Sequence, residues 1–248
     1  MDARVPPEER SSWLSAQVLA EATGEQPEMV VRSIWPTAGL AARIDEWLDE
    51  YQPDLVFVAV NAFWFTYASV PLRMKRVLGR PGEAISGVGR RMAANPKFSE
   101  RRLFHVTRRW LLRTVGGDMH FTPEHVLEVV EASLRRIVAR EDVVVVVRGP
   151  LASHGVDIGG RTQRRSDAAW RRVDRRLRDL CASLHVEYGG IESPADTRGS
   201  LSSADMVHPD ADGHRYRAEM EGSLMVRGWA RAHGAEPARS RLRPESRH

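Results

Sequence analysis

The sequence predicts an α/β protein of three layers, a parallel sheet with helices on both faces. Three observations predict it. Leu55-Val56-Phe57-Val58-Ala59-Val60 and Val143-Val144-Val145-Val146-Val147 are continuous apolar runs, as in parallel strands buried on both faces. The segments between such runs carry apolar residues at helical spacing, and helix–strand alternation of this kind specifies a parallel sheet with right-handed connections. A loop containing Asp205 and His208 follows the last strand-like run. In such sheets chemistry gathers beyond the carboxyl ends of the strands.

The elements follow in order. Ser11-Ser12 ahead of Trp13, Leu14, Ala16, Val18, Leu19 and Ala20 reads as a capped helix ending at Gly24. Met29 to Trp35 is a short β-branched run, read as a strand. Leu40 to Tyr51 is apolar at 40, 41, 44, 47 and 48, which is helical. Pro53-Asp54 breaks the chain before the 55–60 strand. Residues 66–121 read as a basic insertion holding one or two amphipathic helices. Thr122-Pro123-Glu124 is an N-cap with Pro in the first turn; that helix runs through Val126, Val129, Val130, Leu134, Ile137 and Val138. The valine strand ends at Gly149-Pro150. Residues 153–165 read as a surface loop, and Asp167 to Leu184 as an Arg-rich helix with Trp170, Val173, Leu177, Leu180, Cys181 and Leu184 on one face. Val186 to Ile191 is a final short strand. The last helix spans Ala211 to about Trp229. One domain therefore covers 1–231, and 232–248 reads as a disordered polar tail.

Composition narrows the class. Of 248 residues 42% are apolar and 28% charged, enough for a sizeable core. The single cysteine, Cys181, rules out a disulfide framework and a cysteine-based metal site. The longest apolar stretch, Leu55 to Phe65, is too short to span a bilayer. The segment from Met1 to Arg10 is polar and unlike a signal peptide. As it stands the chain reads as cytoplasmic, with a secretion signal ahead of Met1 left open. Net charge is +4, and the basic residues concentrate between Arg73 and Arg113, where only Glu83 and Glu100 are acidic. Such a field attracts anions.

The segment Ser202-Ser203-Ala204-Asp205-Met206-Val207-His208-Pro209-Asp210-Ala211-Asp212-Gly213-His214 carries the most chemistry. An Asp three residues before a His on a tight turn can orient the imidazole and fix its tautomer. The imidazole then takes a proton from a hydroxyl, the back half of a Ser-His-Asp relay. Asp-x-x-His-Pro ahead of a terminal helix resembles the last block of the SGNH (GDSL-type) hydrolases. The order of elements from about residue 11 to 229 is similar to that family too. Trp13 and its helix match the stretch after the family's Gly-Asp-Ser, and Pro53 to Val60 matches the strand leading into its Asn block. The resemblance implies a flavodoxin-like sheet and an ester hydrolase acting through an acyl-enzyme. It further implies His208 as general base, Asp205 as its orienter and Asn61 as an oxyanion or substrate contact. No metal and no organic cofactor are implied. The substrate would be a small-molecule, lipid or carbohydrate ester.

Two blocks depart from that pattern. No Gly-Asp-Ser and no apolar strand precede Trp13, so the family's first strand and its nucleophile have no counterpart. In the simplest alignment Asn61 stands where the family has Gly, and Phe63 where it has the oxyanion Asn. The Gly block falls within Ser33 to Gly39 without a match. Three explanations are open: the serine lies upstream of Met1, the chain is an inactive relative, or another serine such as Ser33 or Ser153 acts. Loss of a central strand would expose strand edges inside the sheet, which favours the first. The competing reading is a non-catalytic module that binds an anionic partner or nucleic acid through the Arg-rich insertion.

The remaining signals read blandly. His208, His214, Asp210 and Asp212 lack the helical His pair of zinc hydrolases. Asp210 and Asp212 suit the positive end of a helix. Gly87-x-Gly89 has no preceding strand and is not a nucleotide loop. His120 and His125 read as surface residues flanking a helix start. The Arg-rich run with Phe104 and Trp110 reads as a solvated helix face or lid, and nucleic acid is not the expected partner.

Overall fold

A computed structural model describes residues 5–79, 102–152, 159–193, 196 and 208–234. Its sheet has three strands, β1 (Leu55–Ala59), β2 (Val144–Arg148) and β3 (Glu187–Gly189). They are parallel and ordered β1-β2-β3, with Val56 opposite Val145 and Val146 opposite Glu187. Eight α-helices accompany them among the described residues: α1 (Ser11–Thr23), α2 (Leu40–Tyr51), α3 (Phe63–Thr66), α4 (Val70–Leu78), α5 (Arg102–Thr114), α6 (Pro123–Val138), α7 (Gly160–Ser183) and α8 (Ala211–Ala232).

Two apolar layers sandwich the sheet. Leu40, Ile44 and Leu48 of α2 join α6 and α7 in a core that includes Val56, Val58, Val145 and Val147. Leu19 of α1 joins Leu224 and Met225 of α8 against Leu55, Phe57 and Val146. The alternation of strand side chains between the two clusters is the period-two geometry of a strand, so the α/β class holds. α1 and α8 approach closely at Gly222. A Cβ there would lie 2.6 Å from the Val18 Cβ, so the contact requires glycine.

Several helices form as their sequence dictates. The Thr122 side chain accepts from the His125 N–H at 3.2 Å, capping α6 with Pro123 in its first turn. Val126, Val130, Leu134 and Ile137 of α6 are almost wholly buried. α8 starts at Asp210, whose carboxylate accepts from the Gly213 N–H at 2.9 Å.

Four expectations need correction. Met29 to Trp35 is not a strand: the segment is irregular, with Val30, Val31 and Trp35 exposed. Its β-branched residues find no neighbouring strand, and β propensity yields structure only where a partner supplies the ladder. α7 begins at Gly160, well before Asp167. Its polar first turns are held by Thr162 Oγ1 donating to the Leu112 carbonyl and Ser166 Oγ donating to the Thr66 carbonyl, each at 2.8 Å. α1 has no serine side-chain cap; its N-cap position is Arg10. β1 is only partly buried, whereas Val145 to Val147 of β2 are buried. Among the described residues no strand lines the outer edge of β1.

Within the stretch expected as an insertion, α4 and α5 meet around buried Leu112 and Ala68. Ser69 and Asp118 pair there through their backbones. The remainder, residues 80–101 with Gly87 and Gly89, lies outside the described residues, as do residues 235–248 of the tail. No helix among the described residues is long and apolar enough to cross a membrane.

Candidate active site

The carboxyl end of β1 runs into Asn61. Its Oδ1 accepts from the Phe63 N–H at 2.9 Å, a local turn that opens α3. The acceptor is thereby used, while the amide donors of this exposed residue remain unengaged among the described residues. His208 is exposed and stands two residues before the α8 N-cap. Asp205 lies outside the described residues. His214, in the first turn of α8, accepts through Nδ1 from the Ser11 N–H at 3.0 Å. That bond ties the entry of α1 to the entry of α8 and gives His214 a structural task.

Behind this edge lies a buried charge cluster that the sequence reading missed. Arg148, the last residue of β2, is 8% exposed and Glu221 of α8 is 6% exposed. Arg148 Nε is 2.9 Å from Glu221 Oε1, though without hydrogen-bond geometry, and its Nη1 donates to the Gly149 carbonyl at 2.9 Å. Arg217 lies one helical turn before Glu221. Desolvation first, and then the Arg148 charge, lower the Arg217 guanidinium to about 10. The two arginines thus share one carboxylate. The only sequence signal was the i, i+4 spacing of Arg217 and Glu221.

A second, partly buried pair joins α7 to β3. Tyr188 Oη donates to Asp174 Oδ1 at 2.5 Å, and Arg178 Nη2 donates to Asp174 Oδ2 at 3.2 Å. Burial, with the Asp174 hydrogen bond second, raises the Tyr188 phenol far above its ordinary value. A Cβ at Gly149 would fall inside the Tyr188 hydroxyl, so this strand end requires glycine. Burial also pushes the Cys181 thiol up to about 12.

Both groups are neutral in the fold and ionise more readily once unfolded. The unfolded chain therefore binds fewer protons, and stability must fall as pH rises. Urea unfolding should show a loss beginning near pH 9, the ordinary thiol value, and continuing toward 12. The slope is at most about 1.4 kcal/mol per pH unit for each group. Cys181→Ser should flatten the first part of that fall; an unchanged profile would refute the assignment.

Aromatic rings gather beyond the end of β1. Phe63 stacks on Tyr67 with centroids 4.2 Å apart, and on His120 at 5.6 Å. The Arg108 guanidinium covers Tyr67 at 4.7 Å. His125, expected at the surface, stacks on Phe121 at 5.2 Å, and its Nε2 lies 2.8 Å from the Pro36 carbonyl. His120 is exposed, as expected, but belongs to this cluster. Partial burial lowers its imidazole from the ordinary value. Among the described residues no three His, Cys, Asp or Glu side chains gather in a way that could hold a metal ion.

No family model matches the chain, and no curated protein does. Among solved structures it is similar to an acetylxylan esterase from Geobacillus stearothermophilus, at 14% identity and a TM-score of 0.47. That match covers 96% of this chain and 91% of the esterase. It is also similar to a protein described as a GDSL-like lipase from Parabacteroides merdae, at 16% identity and a TM-score of 0.44. There the coverage is 95% of this chain and 88% of the other.

Proposed function

We propose that this chain is a serine-type ester hydrolase of the SGNH kind, with His208 as general base and Asp205 as its orienting carboxylate. The serine hydroxyl attacks the ester carbonyl while His208 takes its proton. That proton then goes to the departing alcohol, and water cleaves the acyl-enzyme by the same route. Asn61 donates to the developing oxyanion. The serine is proposed to sit on a turn ahead of Met1 in a longer form of the protein.

One observation carries the reading. The entry of α1 is bonded to the first turn of α8 through Ser11 and His214, six residues after His208. The chain that leads into α1 therefore enters on the side of the molecule where α8 begins, and a serine delivered from upstream is proposed to reach His208 from there. Among the described residues no strand pairs with the outer edge of β1, so a strand delivered from upstream would add to the sheet there. The alternative of an anion-binding module draws less support. Arg73 and Arg76 pair with buried Asp118 at 3.7 and 3.2 Å, and Arg108 is spent on Tyr67.

The test compares the chain from Met1 with a version extended through the upstream reading frame. An extension of roughly 10 to 40 residues suffices for one strand of about 5 or 6 residues and its turn. The Met1 chain should hydrolyse p-nitrophenyl acetate no faster than buffer. The extended protein should hydrolyse it and take a fluorophosphonate label on an upstream serine. Activity of the Met1 chain that vanishes with Ser33→Ala or Ser153→Ala would relocate the nucleophile. An extended protein that neither labels nor hydrolyses would sink the reading.

A further inference from the structure

Trp35 is 47% exposed, yet it is held in place. Its ring centroid lies 6.2 Å from Phe63, 5.4 Å from His120 and 5.9 Å from Phe121, in tilted or edge-to-face geometry. Its carbonyl accepts from the Thr37 N–H at 2.8 Å. The next residue, Pro36, is tied through its carbonyl to His125. Phe63 is in turn stacked on Tyr67, and Tyr67 is capped by Arg108. Edge-to-face and offset pairs of this kind are favourable arrangements for aromatic rings. An indole that could have been covered is instead fixed in the open by a column of rings.

The surroundings select a ligand. An alkyl chain asks for an enclosed aliphatic groove, whereas Trp35 is open and edged by His120, with Asn61 and Arg108 on the residues that carry its support. A pyranose with equatorial substituents has the matching character. Its axial C–H bonds form an apolar face that packs on an indole, and its hydroxyls reach sideways to polar groups. His120, held below its ordinary pKa by partial burial, is a neutral imidazole with one donor and one acceptor for such hydroxyls. The column also adjoins the candidate oxyanion residue, since the Phe63 N–H is bonded to Asn61.

We propose that Trp35, backed by Phe63, Tyr67 and His120, is a stacking subsite for a pyranose ring, which makes the substrate a carbohydrate ester. The ester part rests on the hydrolase reading above; the stacking subsite stands without it. Calorimetry and NMR on the chain from Met1, with xylotetraose and cellotetraose as probes, read the subsite alone. A tetrasaccharide should bind, with affinity falling at least tenfold in Trp35→Ala and less in Trp35→Phe. In the wild-type protein the shift changes should centre on the Trp35 indole and His120, which keeps the test open should Trp35→Ala fold poorly. Absence of binding, binding indifferent to Trp35, shifts elsewhere, or Trp35-dependent binding of decanoate or AMP alone would overturn the subsite. The labelling experiment reads the hydrolase separately, so either can fail without the other.

Discussion

In a form of the protein that carries the nucleophilic serine, His208→Ala is expected to lower kcat for p-nitrophenyl acetate by about 10⁴-fold or more. Asp205→Ala should cost less. The imidazole carries the proton in both half-reactions, whereas the carboxylate only fixes its tautomer and steadies its positive form. His208 is exposed and precedes the α8 N-cap without being the cap itself, so its loss should leave the fold intact. KM should move little, because neither residue is asked to hold the ground-state ester. Steady-state kinetics with circular dichroism of each variant decide the matter. Mild and equal losses for the two replacements would show that Asp-x-x-His is a structural loop.

Glu221→Ala should be the most damaging single change to stability outside the apolar core. Among the described residues Glu221 is the carboxylate that faces Arg148, and Arg217 lies beside them. Removing it strands a guanidinium at the end of β2 among groups that exclude water. Breaking a buried pair in this way costs about 3 to 5 kcal/mol. The double replacement Arg148→Met/Glu221→Leu should recover much of that loss, because it removes the stranded charge along with its partner. Urea midpoints of the three proteins measure the effect. A loss under about 1 kcal/mol for Glu221→Ala would mean that water reaches the cluster.

The readable and unreadable parts of this chain differ in the range of the forces involved. α2 and α6 were legible because an apolar stripe, and for α6 Thr122-Pro123 as well, lie within one short window. The valine run announced β2 for the same reason. Met29 to Trp35 misled because its β-branched residues state a preference that only a neighbouring strand can satisfy. The first turns of α7 were invisible because hydrogen bonds to Leu112 and Thr66 hold them, in place of an apolar stripe. At the candidate site, Asn61 and His208 could be named from local pattern. Arg148 could not, since its partner is on the last helix, and the rings around Trp35 come from two other, distant stretches of chain.

The lone thiol of Cys181 gives the molecule an internal clock. It is wholly buried on α7 within the main core cluster, and its raised pKa leaves almost no thiolate near neutrality. Alkylating reagents act on the thiolate, so reaction must wait until α7 lifts from the sheet. Because the sequence contains no other cysteine, each modified molecule records one opening event. The rate of iodoacetamide uptake therefore tracks how far α7 opens from the core under native conditions, with no engineered probe.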